Sequence, residues 1–239
     1  MGCNLKVYKK EVTIMDNNLS ELVFILDMSG SMLGLTEDTI GGYNSLLKEQ
    51  RKQDGEAKIT TVLFDDRYIM LHDGVDIKNV KDITKKEYCP RGMTAMLDAV
   101  GRTISKIDQK ITSMSEEKRP GNVIVTIITD GYENASCEYT WKSVQSMIKE
   151  HRENHNWIFT FIGANIDTKE VSERMGINKD LARTYTPSKK GTESVYKAVS
   201  NSVKYSREFS HSVVSSDEMD EKLSEYWSKE ERKYSKIIF

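Results

Sequence analysis

Oxygen-bearing side chains follow the ends of two apolar segments in this sequence. Asp27-Met28-Ser29-Gly30-Ser31 comes directly after the apolar run 22–26, and Asp130-Gly131 follows the run 123–128. Thr94 lies between them in the chain, where a helical pattern begins after a long loop. If the two runs are parallel strands, these residues meet at one sheet edge, where open α/β sheets bind ligands.

The candidate donors are carboxylates and hydroxyls, with no His or Cys among them. They are Asp27, Ser29, Ser31, Thr94 and Asp130. Hard oxygen ligands suit Mg²⁺, Mn²⁺ or Ca²⁺ and disfavour zinc or copper. Alternate residues of the first loop can point toward one centre, and Gly30 permits a sharp backbone path between them. Because hydroxyls are neutral, a cation held mostly by them stays electrophilic and favours an anionic ligand from outside the chain.

Three short apolar runs predict the strands that position these donors. They span residues 22–26, 123–128 and 157–162, and none alternates between polar and apolar residues. Such runs are typical of parallel strands that helices cover on both faces. Residues 57–72 instead predict a β-hairpin with one antiparallel edge strand, and a last short strand is expected at 184–186.

Apolar residues at helical spacing predict helices between these strands. They cover residues 36–53, 94–111, 139–151, 168–175 and about 192–209. The order predicts an α/β fold with a doubly wound, mostly parallel six-stranded sheet, one antiparallel edge strand and helices on both faces. We place this domain at residues 20–209, between an N-terminal lead (1–19) and a linker with a charged C-terminal helix or tail (210–239).

The pattern Asp27-x-Ser29-x-Ser31, then Thr94, then Asp130-Gly131 resembles the metal-ion-dependent adhesion site (MIDAS) of von Willebrand factor type A (vWA) domains. The resemblance covers about residues 20–209 and includes the order of strands and helices. It implies a Rossmann-like vWA domain of the stand-alone bacterial or phage type that acts as an interaction module.

The resemblance also implies a role for each candidate donor. The hydroxyls of Ser29, Ser31 and Thr94 would contact the metal, and Asp27 and Asp130 would act largely through waters. A Glu or Asp from a partner protein would then complete the coordination of Mg²⁺, with Mn²⁺ and Ca²⁺ as alternatives. We interpret Arg91, before Thr94, and Tyr132, after Asp130-Gly131, as rim residues that contact such a partner.

Other interpretations of the same residues stay open. Taken singly, Ser31 and Thr94 are also ordinary helix-capping residues. The C-terminal tail could be a helix packed on the domain or a helix that binds a partner. In the scaffold alternative, the metal is structural and the tail recruits partners. An Mg²⁺-dependent phosphatase-like hydrolase is disfavoured, because Ser29 stands where such enzymes place a second Asp as general acid. We therefore expect no enzymatic activity.

Composition excludes several further classes of function. The 239 residues include 35 Lys and Arg against 37 Asp and Glu, a formal charge of −2, which gives no general attraction to nucleic acid or anionic lipid. No apolar run approaches the ~18 residues that span a bilayer. Three cysteines without Cys-x-x-Cys spacing, and no apolar signal segment, predict reduced thiols in a cytoplasmic protein. We expect the chain to be a monomer on its own. His151 and His155 lie in a polar stretch, which predicts a solvated helix face.

Overall fold

The computed structural model describes residues 18–209 and 215–235, which form a six-stranded sheet flanked by helices. The strands are β1 (Leu19–Asp27), β2 (Glu56–Phe64), β3 (Tyr68–Asp76), β4 (Asn122–Thr129), β5 (Ile158–Gly163) and β6 (Ala182–Thr184). The helices are α1 (Thr36–Gln50), α2 (Met96–Ser113), α3 (Trp141–His155), α4 (Thr168–Met175), α5 (Lys189–Phe209) and α6 (Ser216–Ser235). Short 3₁₀ turns occupy Gly30–Leu35, Glu116–Lys118 and Lys179–Leu181.

The strand order is β3-β2-β1-β4-β5-β6. β1 pairs in parallel with both β2 and β4, the β4-β5 and β5-β6 pairs are also parallel, and β3 alone pairs antiparallel with its neighbour β2. The predicted fold class is therefore confirmed. The chain reverses its winding direction between β1 and β4, and doubly wound sheets bind ligands at the carboxyl ends of such a pair.

Burial explains why the strands that carry the site are so apolar. Every residue of β4 and β5 is buried, and so is every residue of β1 after Leu19. A strand buried on both faces has no solvent-exposed side, so its sequence does not alternate between polar and apolar residues. β3 is only partly buried, as expected for a strand at the edge of the sheet.

Several element bounds differ from the sequence-based predictions by a few residues, including those of α1, α3 and α5. β6 spans 182–184 rather than 184–186, because it follows the register of β5, in which Gly163 is level with Thr184. α2 begins at Met96, so Thr94 lies in the preceding loop rather than in the helix. The predicted helix 168–175 is observed with the same bounds, and Gly176 ends it in the left-handed conformation at φ 80°.

Helix α6 packs on the rest of the chain. It contacts α5 and the turn at 179–181, and buries Met219, Leu223 and Trp227. The Arg152 guanidinium of α3 forms an ion pair with the buried Asp220, although burial still raises the pKa of that carboxyl to about 6. This packing matches the alternative of a tail helix bound to the domain. Most of the predicted linker, residues 210–214, lies outside the described residues.

His151 is not on a solvated face, and that expectation was wrong for this residue. The residue is 5% exposed, and its ring packs against Trp157 with ring centroids 4.4 Å apart. Its Nδ1 lies 2.7 Å from the Met147 carbonyl oxygen and its Nε2 lies 3.4 Å from Asp108 on α2. His155, one turn later, is exposed as expected.

In the part of the chain that the structure describes, no helix is both long and apolar enough to cross a membrane. Cys89 and Cys137 are exposed free thiols. Cys3 lies outside the described residues.

The buried face of α6 gives a first testable prediction. Leu223→Ala removes a fully buried side chain and should lower the free energy of unfolding by about 2–5 kcal/mol, as is typical of such cavities. Urea unfolding followed by circular dichroism measures the change. Glu221→Ala, on the exposed side of the same helix, is the matched control. Equal unfolding midpoints for the two variants would contradict the packing of α6.

Candidate metal centre

Asp27 ends β1 with its carboxylate held by two neighbouring elements. Its Oδ1 accepts a hydrogen bond of 2.6 Å from the backbone N–H of Ser29. Its Oδ2 accepts one of 2.5 Å from the Thr129 hydroxyl at the end of β4. The residue is fully buried. Asp27 therefore ties the turn after β1 to the end of the adjacent strand.

The hydroxyls of the first loop meet the carboxylate that follows β4. Ser29 Oγ lies 3.1 Å from Ser31 Oγ, and the Ser31 hydroxyl donates a hydrogen bond to Asp130 Oδ1. Ser29 and Asp130 are buried, whereas Ser31 is exposed at the surface. Three of the predicted donors thus form one connected group that reaches solvent.

Thr94 joins this group through Gly131. A Cβ atom added to Gly131 would lie 3.3 Å from Thr94 Oγ1 and 3.5 Å from Ser31 Oγ, so both hydroxyls border the same glycine. A side chain at that position would enter the space beside them. The structure therefore brings all five predicted donors to the carboxyl edge of β1 and β4.

Burial of two carboxyl groups sets the electrostatics of this edge. Desolvation raises the pKa of Asp27 to about 6, and the nearby Asp130 contributes in the same direction. Desolvation also raises the pKa of Asp130, although the Ser31 hydroxyl opposes that effect. Negative charge buried in this way is costly without a cation.

The donor set fits a hard divalent cation. Within residues 18–209 and 215–235, no group of three or more His, Cys, Asp and Glu side chains could hold a metal ion. A cation at this edge would therefore depend on the hydroxyls as well as on the two carboxylates. Oxygen donors of these kinds suit Mg²⁺, Mn²⁺ or Ca²⁺.

The two predicted rim residues lie on loops that flank the donors. The backbone N–H of Arg91 donates to the Met28 carbonyl at 2.9 Å, and its exposed guanidinium lies 3.5 Å from Asp65. Tyr132 is exposed, and its hydroxyl accepts a hydrogen bond of 3.0 Å from the backbone N–H of Asp167.

Sequence reasoning missed the residues that hold the donors in place. Asn134 Oδ1 accepts from the Thr94 N–H at 2.9 Å, and the Asn134 N–H donates to the Thr94 carbonyl at 3.0 Å. Glu133 accepts from the Leu97 N–H at the start of α2. Asp98 accepts from three successive backbone N–H groups at residues 137–139. Only the Asp and Asn content of this loop hinted at such turns.

The raised pKa of Asp27 gives a prediction for the protein in chelator. The unfolded chain loses this proton near pH 3.8 and the folded chain near pH 6, so the group costs stability as pH rises between these values. Asp27→Asn removes that cost. Its stability advantage over wild type should be small near pH 4 and reach a plateau of at most ~3 kcal/mol above pH 6, since each pKa unit is about 1.4 kcal/mol.

Urea unfolding from pH 4 to 8 in EDTA measures this advantage. Asp180→Asn, which removes an exposed carboxylate on the turn 179–181, is the matched control. An advantage for Asp27→Asn that does not grow with pH would contradict the buried, charged carboxylate.

No protein-family model matches the sequence, and no curated protein sequence matches it. Solved structures do match in fold. Proximal thread matrix protein 1 from the mussel byssus, solved with a zinc-occupied MIDAS motif, is 16% identical with a TM-score of 0.53. That match covers 79% of this chain and 46% of the mussel protein, so this chain spans less than half of that protein's length.

Two further structures agree with this match. The manganese-loaded TRAP protein of Plasmodium vivax is 19% identical with a TM-score of 0.53, covering 71% of this chain and 69% of that one. A von Willebrand factor type A protein from Catenulispora acidiphila is 13% identical with a TM-score of 0.52, covering 77% and 42%. From its sheet order and these neighbours, the chain has the fold of a von Willebrand factor type A domain.

Proposed function

We propose that this chain is a divalent-metal-dependent protein-binding module. Five side chains would hold the cation, and a Glu or Asp of a partner protein would complete its coordination. These five are Asp27, Ser29, Ser31, Thr94 and Asp130. The observation that carries the proposal is the convergence of three hydroxyls and Asp130 around Gly131.

The hydrogen bonds of Asp27 support a division of roles among the donors. Both of its carboxylate oxygens already accept hydrogen bonds from the protein, from Ser29 N–H and from the Thr129 hydroxyl. Its part would be to hold the loop and to supply negative charge beside the cation. The neutral hydroxyls would then make the direct contacts, and a cation held by neutral donors attracts a partner's carboxylate strongly.

Mg²⁺ is the cation that we favour, with Mn²⁺ and Ca²⁺ as alternatives. The donors are oxygens, and Mg²⁺ is commonly bound by few carboxylates together with waters and an outside ligand. Two of the structural neighbours carry zinc and manganese, which supports a divalent ion at this edge. A cytoplasmic location, a monomeric state and the absence of enzymatic activity stay predictions of the sequence.

The scaffold alternative gains no support from the described part of α6. Its apolar residues Met219, Leu223 and Trp227 are buried, so this face of the tail helix is already occupied within the chain. The metal edge, by contrast, has exposed groups around it. We therefore place partner binding at the metal edge and not on α6.

Metal binding can be tested without knowing the partner. Titration with Mn²⁺, followed by electron paramagnetic resonance, should show one site per chain that Mg²⁺ competes for. Thr94→Ala removes one hydroxyl donor and should weaken Mn²⁺ binding at least tenfold. Ser113→Ala removes an exposed hydroxyl at the far end of α2 and should bind as wild type does. If Thr94→Ala and wild type titrate alike, the proposed site is wrong.

Partner binding can be tested by affinity capture. The immobilised wild-type chain should retain a specific protein in Mg²⁺ and release it in EDTA, and Thr94→Ala should not retain it. Quantitative mass spectrometry compares the captured proteins, with Ser113→Ala as the control. The proposal is wrong if wild type retains no protein in Mg²⁺ beyond those that it also retains in EDTA and that Thr94→Ala also retains.

A further inference from the structure

Exposed apolar side chains are concentrated at the metal edge. In the described part of the chain, the exposed large hydrophobic residues are Leu33 (68%), Met93 (56%) and Tyr132 (53%). Single exposed apolar residues are ordinary when they are scattered over a surface. Here each lies within two positions of a proposed metal donor: Leu33 after Ser31, Met93 before Thr94, and Tyr132 after Asp130.

Backbone contacts bring the three loops together. The Gly30 N–H donates to the Gly92 carbonyl at 3.2 Å, which joins the loop of Leu33 to that of Met93. Gly131, directly before Tyr132, borders the hydroxyls of both other loops. We name Leu33, Met93 and Tyr132 the apolar rim, because these side chains project from the three loops that supply the donors. This set shares only Tyr132 with the two rim residues predicted from the sequence.

The loops that carry the rim are held in place. The Tyr132 hydroxyl is fixed by the Asp167 N–H at the start of α4. The Leu33 carbonyl accepts a hydrogen bond of 2.8 Å from the Thr36 hydroxyl. Gly92 has a φ of 69°, and a Cβ there would lie 2.2 Å from Asp66 Oδ1, so the path before Met93 needs glycine. Binding to loops that are already fixed costs less conformational entropy than binding to loops that must first become ordered.

We propose that the partner binds this edge with a segment that contains an acidic residue and, within two positions of it, an apolar residue. The acidic residue would complete the metal coordination, and the apolar residue would contact the apolar rim. This proposal rests on the proposed metal-dependent function. A carboxylate is required because its negative charge complements that of the cation. The apolar rim adds the second requirement. A charge placed against Leu33, Met93 or Tyr132 would be disfavoured, because these apolar side chains would bury it without a partner.

A display experiment tests this. Peptides of twelve random residues, displayed on phage, are selected on the immobilised full chain in Mg²⁺ and eluted with EDTA. The recovered peptides should carry Asp or Glu with a Leu, Ile, Met, Val, Phe, Tyr or Trp within two positions, more often than the unselected library. One recovered peptide is then synthesised and its affinity is measured in Mg²⁺.

The rim is tested with Leu33→Ser/Met93→Ser, which changes two exposed side chains. This variant should bind the synthesised peptide about tenfold more weakly, while its Mn²⁺ affinity and unfolding midpoint stay as in wild type. The matched control is Glu116→Ser/Lys118→Ser, two exposed residues on the turn before β4, at the opposite end of the strands. The control should bind the peptide as wild type does.

The outcomes separate this proposal from the one on which it rests. The proposed role of the apolar rim is wrong if the recovered peptides carry an acidic residue without apolar enrichment. It is also wrong if the synthesised peptide binds the rim variant as tightly as wild type. Either result leaves the metal-dependent function standing. If no peptide is eluted by EDTA, both proposals fail. If wild type instead dimerises in Mg²⁺ and the rim variant does not, the rim binds a second copy of the chain and the proposed segment is wrong.

Discussion

The parallel pairing of β1 with β4 is the constraint on which the candidate site depends. Leu26 is level with Ile128, so Asp27 is level with Thr129, and the Thr129 hydroxyl reaches the Asp27 carboxylate. The next residue of each strand then enters a loop at the same edge. A shift of the register by one residue would turn Asp27 to the opposite face and separate it from Thr129.

A second set of contacts arranges the loops around that edge. Gly30 bonds to Gly92, Arg91 to Met28 and Thr94 to Asn134, so the loops after β1, before α2 and after β4 are tied to one another. These hydrogen bonds hold the three loops, and with them the hydroxyls, close together. Burial raises the pKa of both carboxyl groups at this edge, and the charge of Asp130 adds to the shift of Asp27. The same charge that costs stability is what would make the edge attractive to a cation.

The sequence predicted the parts of this structure that follow from local pattern. The apolar runs marked β1, β4 and β5, and the oxygen donors after them could be identified because strand ends set their position. The hydrogen bonds of Asn134, Glu133 and Asp98 could not be predicted, because each joins residues 36 to 41 positions apart and has no spacing of its own. His151 shows the same limit: its neighbours in sequence are polar, but its position on α3 turns it toward Trp157 and Asp108.

The small net charge of the chain makes the apolar rim important for partner selectivity. A formal charge of −2 on 239 residues provides little long-range attraction for a partner of either sign. A cation at the edge of β1 and β4 would attract any accessible carboxylate, and carboxylates are common on protein surfaces, so the cation alone would discriminate poorly. Selectivity must then come from the groups around it. Leu33, Met93 and Tyr132 are the large exposed apolar groups of the described chain, and they occupy that position. Apolar contacts beside a desolvated charge pair are the arrangement by which protein interfaces convert a general attraction into a specific one.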